Sequence, residues 1–210
     1  MKKRIIILII ATVLIVGQTF LAWPISGIEN TIIKRCLGIL LNYANGAVAL
    51  IAIRLTGVEI GFEPKDGWQY LIGLAIALTL SLFIAFIPAW TGNSLVGSHT
   101  DFDWGNLIYS LLFFLLVIGP VEELIFRVYY QETFIGFFKK NKWIGVIIAA
   151  ALFGLFHLIN GSWLQVLFTF GIGAVFGFCK YLLKHCKYLG LSFGHGLYDF
   201  LNVIVRMFVI

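Results

Sequence analysis

The chain has 210 residues, of which 60% are hydrophobic and 12% charged, with a formal net charge of +5. Soluble domains are about 45–50% apolar and about 25% charged, and a globule of this length could not hide the excess. These figures exclude a disordered chain, a disulfide-stapled secreted domain and a nucleic-acid-binding protein; they point to a polytopic α-helical membrane protein.

Seven apolar segments follow in chain order, over residues 5–23, 36–53, 68–90, 107–130, 143–159, 162–180 and 189–210. Each is near the ~20 residues that a spanning helix needs. The first follows Lys2, Lys3 and Arg4 and resembles a signal peptide. Its apolar run continues to Trp23 without a small-residue cleavage site, so a retained anchor is expected.

Basic residues in the loops set the expected orientation, because they accumulate on the cytoplasmic side. With the N-terminus inside, the inner loops hold Lys2, Lys3, Arg4, Arg54, Lys65, Lys139, Lys140, Lys142, Lys180, Lys184 and Lys187, and the outer loops only Lys34 and Arg35. The expected architecture is all-α, a single bundle of about seven transmembrane helices, or eight if residues 130–142 conceal another span. A multi-pass protein of a bacterial cell membrane, with a cytoplasmic N-terminus and an external C-terminus, is the corresponding expectation. Cys36, Cys179 and Cys186 show no CxxC spacing and read as small buried hydrophobes.

The composition divides the chain near residue 104. Residues 1–103 make three spans of lipid-compatible helix, whereas 104–206 carry ionisable groups at membrane depth, where a charge is costly and marks function. In the fourth segment, Gly119-Pro120-Val121 leads into Glu122 and Glu123, and Arg127 follows four residues after Glu123. Glu123 and Arg127 therefore share a helix face and can neutralise one another. Glu122 lies ~100° around the helix and needs a different environment, one suited to a general base. Pro120 has no N–H to give the Leu116 carbonyl, so a kink is expected one turn before the carboxylates.

In the fifth segment Phe153 and His157 are one turn apart. The last carries a polar stripe of Ser192, His195, Asp199, Asn202 and Arg206, with Gly194 and Gly196 flanking the histidine and allowing close helix contact. No HExxH or GxGD motif is present. Gly190-Leu191-Ser192-Phe193-Gly194 matches GxSxG, but that pattern needs a strand–turn–helix elbow, and here it opens an apolar helix, which disfavours Ser192 as a nucleophile.

Taken in order, Glu122-Glu123 with Arg127, Phe153 with His157, and His195 with Asp199 resemble the three signature motifs of the CAAX-protease and bacteriocin-processing (CPBP, or Abi) intramembrane endopeptidases. The resemblance covers 104–206, about half the chain. It implies hydrolysis of a membrane-embedded or membrane-anchored peptide, with the lipid bilayer as surroundings. By motif position, Glu122 and His157 would activate water, while His195 and Asp199 would stabilise the oxyanion. Glu123, Arg127 and Phe153 would support them. Prenyl proteases end the last motif in Asn; Asp199 departs from that, and either a protonated Asp199, an orienting Asp199 or Asn202 one turn on could meet the need.

A cofactor-free mechanism is favoured, with Zn²⁺ held by Glu122, His157 and His195 as the alternative. Rival functions are a non-catalytic bacteriocin immunity protein of the same family and an ion- or proton-coupled transporter. The sequence is silent on oligomeric state.

Overall fold

The structure is a computed structural model that describes residues 2–210, the side chains of Ile159 and Asn160 aside. Its regular elements are all helical. They form seven rods, labelled α1 (Lys2–Ser26, with a two-residue turn inside it), α2 (Thr31–Thr56), α3 (Gly67–Trp90), α4 (residues 104–137), α5 (Lys142–Phe156), α6 (Trp163–Leu182) and α7 (Tyr188–Phe208).

The all-helical expectation holds. The span count is supported only in part: α1, α2, α3 and α6 are long and apolar enough to cross a membrane, while α5 is apolar but has only 15 residues. Large apolar side chains such as Ile9, Val13, Leu40, Ile51, Phe83 and Leu167 face outward. Such a surface is soluble in lipid and not in water. Residues 138–141 form the connection between α4 and α5, and no additional helix lies between them.

Caps explain why some rods start earlier than their apolar runs. The Asn30 side chain accepts from the N–H groups of Ile32 (3.0 Å) and Ile33 (3.1 Å), which starts α2 at Thr31. The Asp103 carboxylate accepts from Asn106 N–H at 2.6 Å and starts α4 at Trp104. At the other end of α2, Gly57 takes the left-handed conformation (φ 68°) and its N–H bonds the Ile53 carbonyl, which terminates the helix.

Around Pro120, where a kink is expected, the helix contains π turns. Residues Phe114–Ile118 and Leu124–Tyr130 are π-helical and bracket the α-helical Gly119–Glu123. A π turn shifts the hydrogen-bond register by one residue, which accommodates a residue that cannot donate. A third π segment, Ser81–Phe86, interrupts α3.

The chain folds as two compact units. One contains residues 1–61 and 121–184, that is α1, α2, the second half of α4, α5 and α6. The other contains 62–120 and 185–210, that is α3, the first half of α4 and α7. Each unit draws on both sides of residue 104.

In the first unit, α5 packs on α6 and on the end of α4, and α1 packs on α2. Glycines permit this: a Cβ on Gly145 would stand 2.5 Å from the Ile135 nitrogen, and one on Gly154 would stand 2.7 Å from the Val166 carbonyl oxygen. In the second unit, α7 lies against α3 and the first half of α4.

Candidate active site

The first unit holds Glu122, Glu123, Arg127, Phe153 and His157. Glu123 and Arg127, one turn apart, are fully buried at 0% and 1% exposure, with Arg127 Nε 3.4 Å from Glu123 Oε2. The Arg127 guanidinium also lies 4.4 Å from the centre of the Phe153 ring and 5.8 Å from that of Phe176. A buried guanidinium is tolerable only with such company: a carboxylate for its charge, and aromatic faces for its weakly hydrated plane. Glu122 is half-buried where Glu123 is fully buried, so the adjacent carboxylates occupy different surroundings, as their ~100° separation requires.

Phe153 is central among the candidate residues of the first unit. Besides facing Arg127, its ring meets Phe126 edge-on at 5.1 Å and His157 edge-on at 4.8 Å. His157 closes α5 and opens a 3-10 turn, His157–Asn160. Its Nδ1 lies 2.8 Å from the Phe153 carbonyl oxygen. A carbonyl can only accept, so Nδ1 donates, and the neutral ring carries its lone pair on Nε2. The half-buried imidazole is thus held as the tautomer with its basic nitrogen directed away from its own backbone.

The second unit holds Ser192, His195, Asp199 and Asn202, all on α7. His195 is buried, and its Nε2 stands 3.5 Å from Asp199 Oδ2 one turn on. Asn202, a further turn along, is half-buried and its amide oxygen is buried. The buried Ser192 hydroxyl donates to the Tyr188 carbonyl at 2.8 Å within its own helix. This is back-bonding of a helical serine, with no elbow around it.

Glycines place α7. A Cβ on Gly194 would stand 2.6 Å from the Gly73 carbonyl oxygen of α3, and one on Gly190 would overlap the Gln69 carbonyl. On the α4 side, a Cβ on Gly119 would stand 2.9 Å from the Gly196 nitrogen, and one on Gly196 would overlap the Phe114 carbonyl. The backbones therefore touch on both flanks of His195, as the two glycines around it suggested. Gln69 adds a polar latch by donating to the Glu63 carbonyl at 2.6 Å and accepting from Gly190 N–H at 3.0 Å. Tyr188 donates its hydroxyl to the Pro120 carbonyl at 3.1 Å.

Among the described residues, no group of three or more His, Cys, Asp or Glu side chains could hold a metal ion.

The sequence reading passed over two residues. Gln131 is buried and donates to the Gly177 carbonyl at 3.1 Å, fastening α4 to α6. Its signal was available, since Glu123, Arg127 and Gln131 repeat every four residues. Phe176, the second aromatic face beside Arg127, had no signal, being one phenylalanine among twenty.

Residues 104–201 match the family model described as type II CAAX prenyl endopeptidase Rce1-like. No curated protein and no solved structure matches the chain. The match begins where ionisable residues enter the apolar helices and takes in Glu122, Glu123, Arg127, Phe153, His157, His195 and Asp199. Over residues 104–201, just under half of its length, this membrane protein is similar to the type II CAAX prenyl endopeptidase Rce1-like family.

Proposed function

We propose that the protein is an intramembrane endopeptidase that cleaves a membrane-associated peptide or protein with an activated water and no metal. The observation that carries the reading is the tautomer lock on His157, combined with the Glu123–Arg127 pair that leaves Glu122 in separate, less buried surroundings. A water activated for attack needs one group to take its proton and another to orient it. Glu122 takes the first role and the Nε2 lone pair of His157 the second.

In this reaction the water oxygen adds to the scissile carbonyl carbon as its proton passes to Glu122. The carbonyl oxygen becomes an oxyanion and accepts a hydrogen bond from His195, whose ring Asp199 orients. Collapse breaks the carbon–nitrogen bond, and Glu122 returns the proton to the leaving amine. Glu123, Arg127 and Phe153 position the helix that carries Glu122. Of the three possibilities for Asp199, the 3.5 Å approach to His195 favours the orienting one.

The substrate class follows from the setting: a lipid-anchored peptide or a leader segment in a bacterial membrane, approached laterally. The test is a proteomic comparison of membranes holding wild-type protein with membranes holding Glu122→Gln. Peptides that depend on Glu122 are expected. Identical peptide profiles, with both proteins folded and equally abundant, would instead support a non-catalytic immunity protein.

A further inference from the structure

We propose that the cationic recess at the α4–α5 turn binds the phosphodiester headgroup of an anionic phospholipid. The recess has a volume of about 400 Å³ and is lined by Gly136, Phe137, Phe138, Lys139, Lys140 and Asn141. Arg4, from the start of α1, reaches its wall: its Nη1 stands 3.6 Å from the position a Cβ on Gly136 would take. The first turn of α1 and the α4–α5 connection, more than a hundred residues apart in sequence, thus bring cations together around one hollow.

These cations keep their charge for an outside anion. The nearest acid along α4, Glu132, forms an ion pair with Lys180 of α6. Among the described residues, no carboxylate pairs with Arg4, Lys139 or Lys140.

The rest of the lining suits a lipid better than a soluble anion. Phe137 and Phe138 line the same hollow as the lysines, and Trp143, 52% exposed, begins the next helix. Aromatic side chains beside cations are the composition of the headgroup boundary, where a phosphate meets the charges and the glycerol and upper acyl chain meet the rings. A zwitterionic headgroup carries the same phosphate but adds an ammonium, which this cationic rim repels. The ligand is therefore an anionic lipid such as phosphatidylglycerol. The proposal stands apart from the peptidase reading, and its readout is lipid retention rather than cleavage.

The experiment is native mass spectrometry of the full chain, released from nanodiscs of mixed phosphatidylcholine and phosphatidylglycerol. Wild-type protein should retain phosphatidylglycerol selectively. Arg4→Gln should weaken retention about fivefold, and the Arg4→Gln/Lys139→Gln/Lys140→Gln variant on the order of a hundredfold. All three positions are exposed, and an unchanged melting temperature of each variant confirms that the fold survives. Lys34→Gln/Arg35→Gln removes two charges from the start of α2 and should leave retention unchanged. Equal retention by wild-type and triple variant, equal loss in the Lys34/Arg35 control, equal binding of phosphatidylcholine, or displacement by inorganic phosphate would each overturn the proposal.

Discussion

The Nδ1 of His157 donates to the Phe153 carbonyl 2.8 Å away, and the Phe153 ring in turn faces Arg127. One aromatic residue therefore connects the histidine to the buried ion pair. The tautomer lock can be tested with amide mimics. In His157→Asn the amide nitrogen can occupy the place of Nδ1, and in His157→Gln that of Nε2, yet neither supplies a basic nitrogen. Both variants should fold, and both should lose ~10²–10⁴ in rate. Near wild-type turnover by either one, measured on a cleaved membrane peptide, would remove His157 from the chemistry.

The two adjacent glutamates should separate cleanly. Glu122→Gln keeps size and polarity and is expected to abolish cleavage with little change in melting temperature. Glu123→Gln leaves Arg127 buried without its carboxylate, at a cost of about 3–5 kcal/mol. Replacing both members with apolar residues, Glu123→Leu with Arg127→Met, should restore most of that stability. Thermal denaturation in detergent checks this, and a double variant no more stable than Glu123→Gln would mean the pair does more than neutralise itself.

His195 and Asp199 can be tested together with metal dependence. If His195 supplies one oxyanion donor, His195→Ala should cost ~10²–10³ in rate. Asp199→Asn keeps a group that can orient the ring and should be tolerated, whereas Asp199→Ala should fall between the two. Prolonged chelation should leave activity intact, and elemental analysis should find no stoichiometric zinc. One tightly held zinc per chain, lost in both His157→Ala and His195→Ala, would replace the metal-free mechanism.

Close backbone contact makes Gly194 intolerant of any side chain. A Cβ there meets Gly73 backbone atoms at 2.6–3.0 Å, and backbone cannot swing aside as a flexible side chain can. Gly194→Ala should therefore destabilise by about 1–3 kcal/mol through overpacking, and Gly194→Val by more. Gly171 has open space at its Cβ position and serves as control: Gly171→Ala should be neutral or slightly stabilising. Melting temperatures of the three variants decide.

A half-exposed ion cluster outside the spans predicts a pH plateau. His185 Nδ1 lies 2.9 Å from Asp66 Oδ2, and Lys187 pairs with Glu63 and approaches the same Asp66 oxygen at 3.4 Å. The His185 hydrogen bond holds the Asp66 carboxyl below its ordinary 3.8, while the Glu63 contact holds the Lys187 ammonium above its ordinary 10.5. The depressed acid contributes fully above its unfolded value and loses its contribution as pH falls through the folded one. The raised base contributes fully below its unfolded value and loses its contribution as pH rises through the folded one. Their joint contribution is thus complete between about pH 4 and pH 10 and shrinks outside that window. His185→Ala should shift the acid limb of the melting-temperature profile upward and leave the alkaline limb in place.

Local geometry made part of this protein legible from residues alone. Glu123 and Arg127 were readable as a pair because four residues make one helical turn whatever surrounds the helix. The apolar runs marked the rods for the same reason, and Asn30 and Asp103 moved their starts because a side chain caps only its own next turn. Gly194 and Gly196 signalled close approach but named no partner. Only the tertiary structure supplied Gly73 and Phe114, since the rotation of one helix against another depends on every side chain along the contact. It likewise chose Phe176 from twenty phenylalanines to face Arg127, and set Arg4 beside Gly136. Those pairings join residues 49 and 132 positions apart, too far for spacing along one helix to encode them; they are decided by how the rods pack.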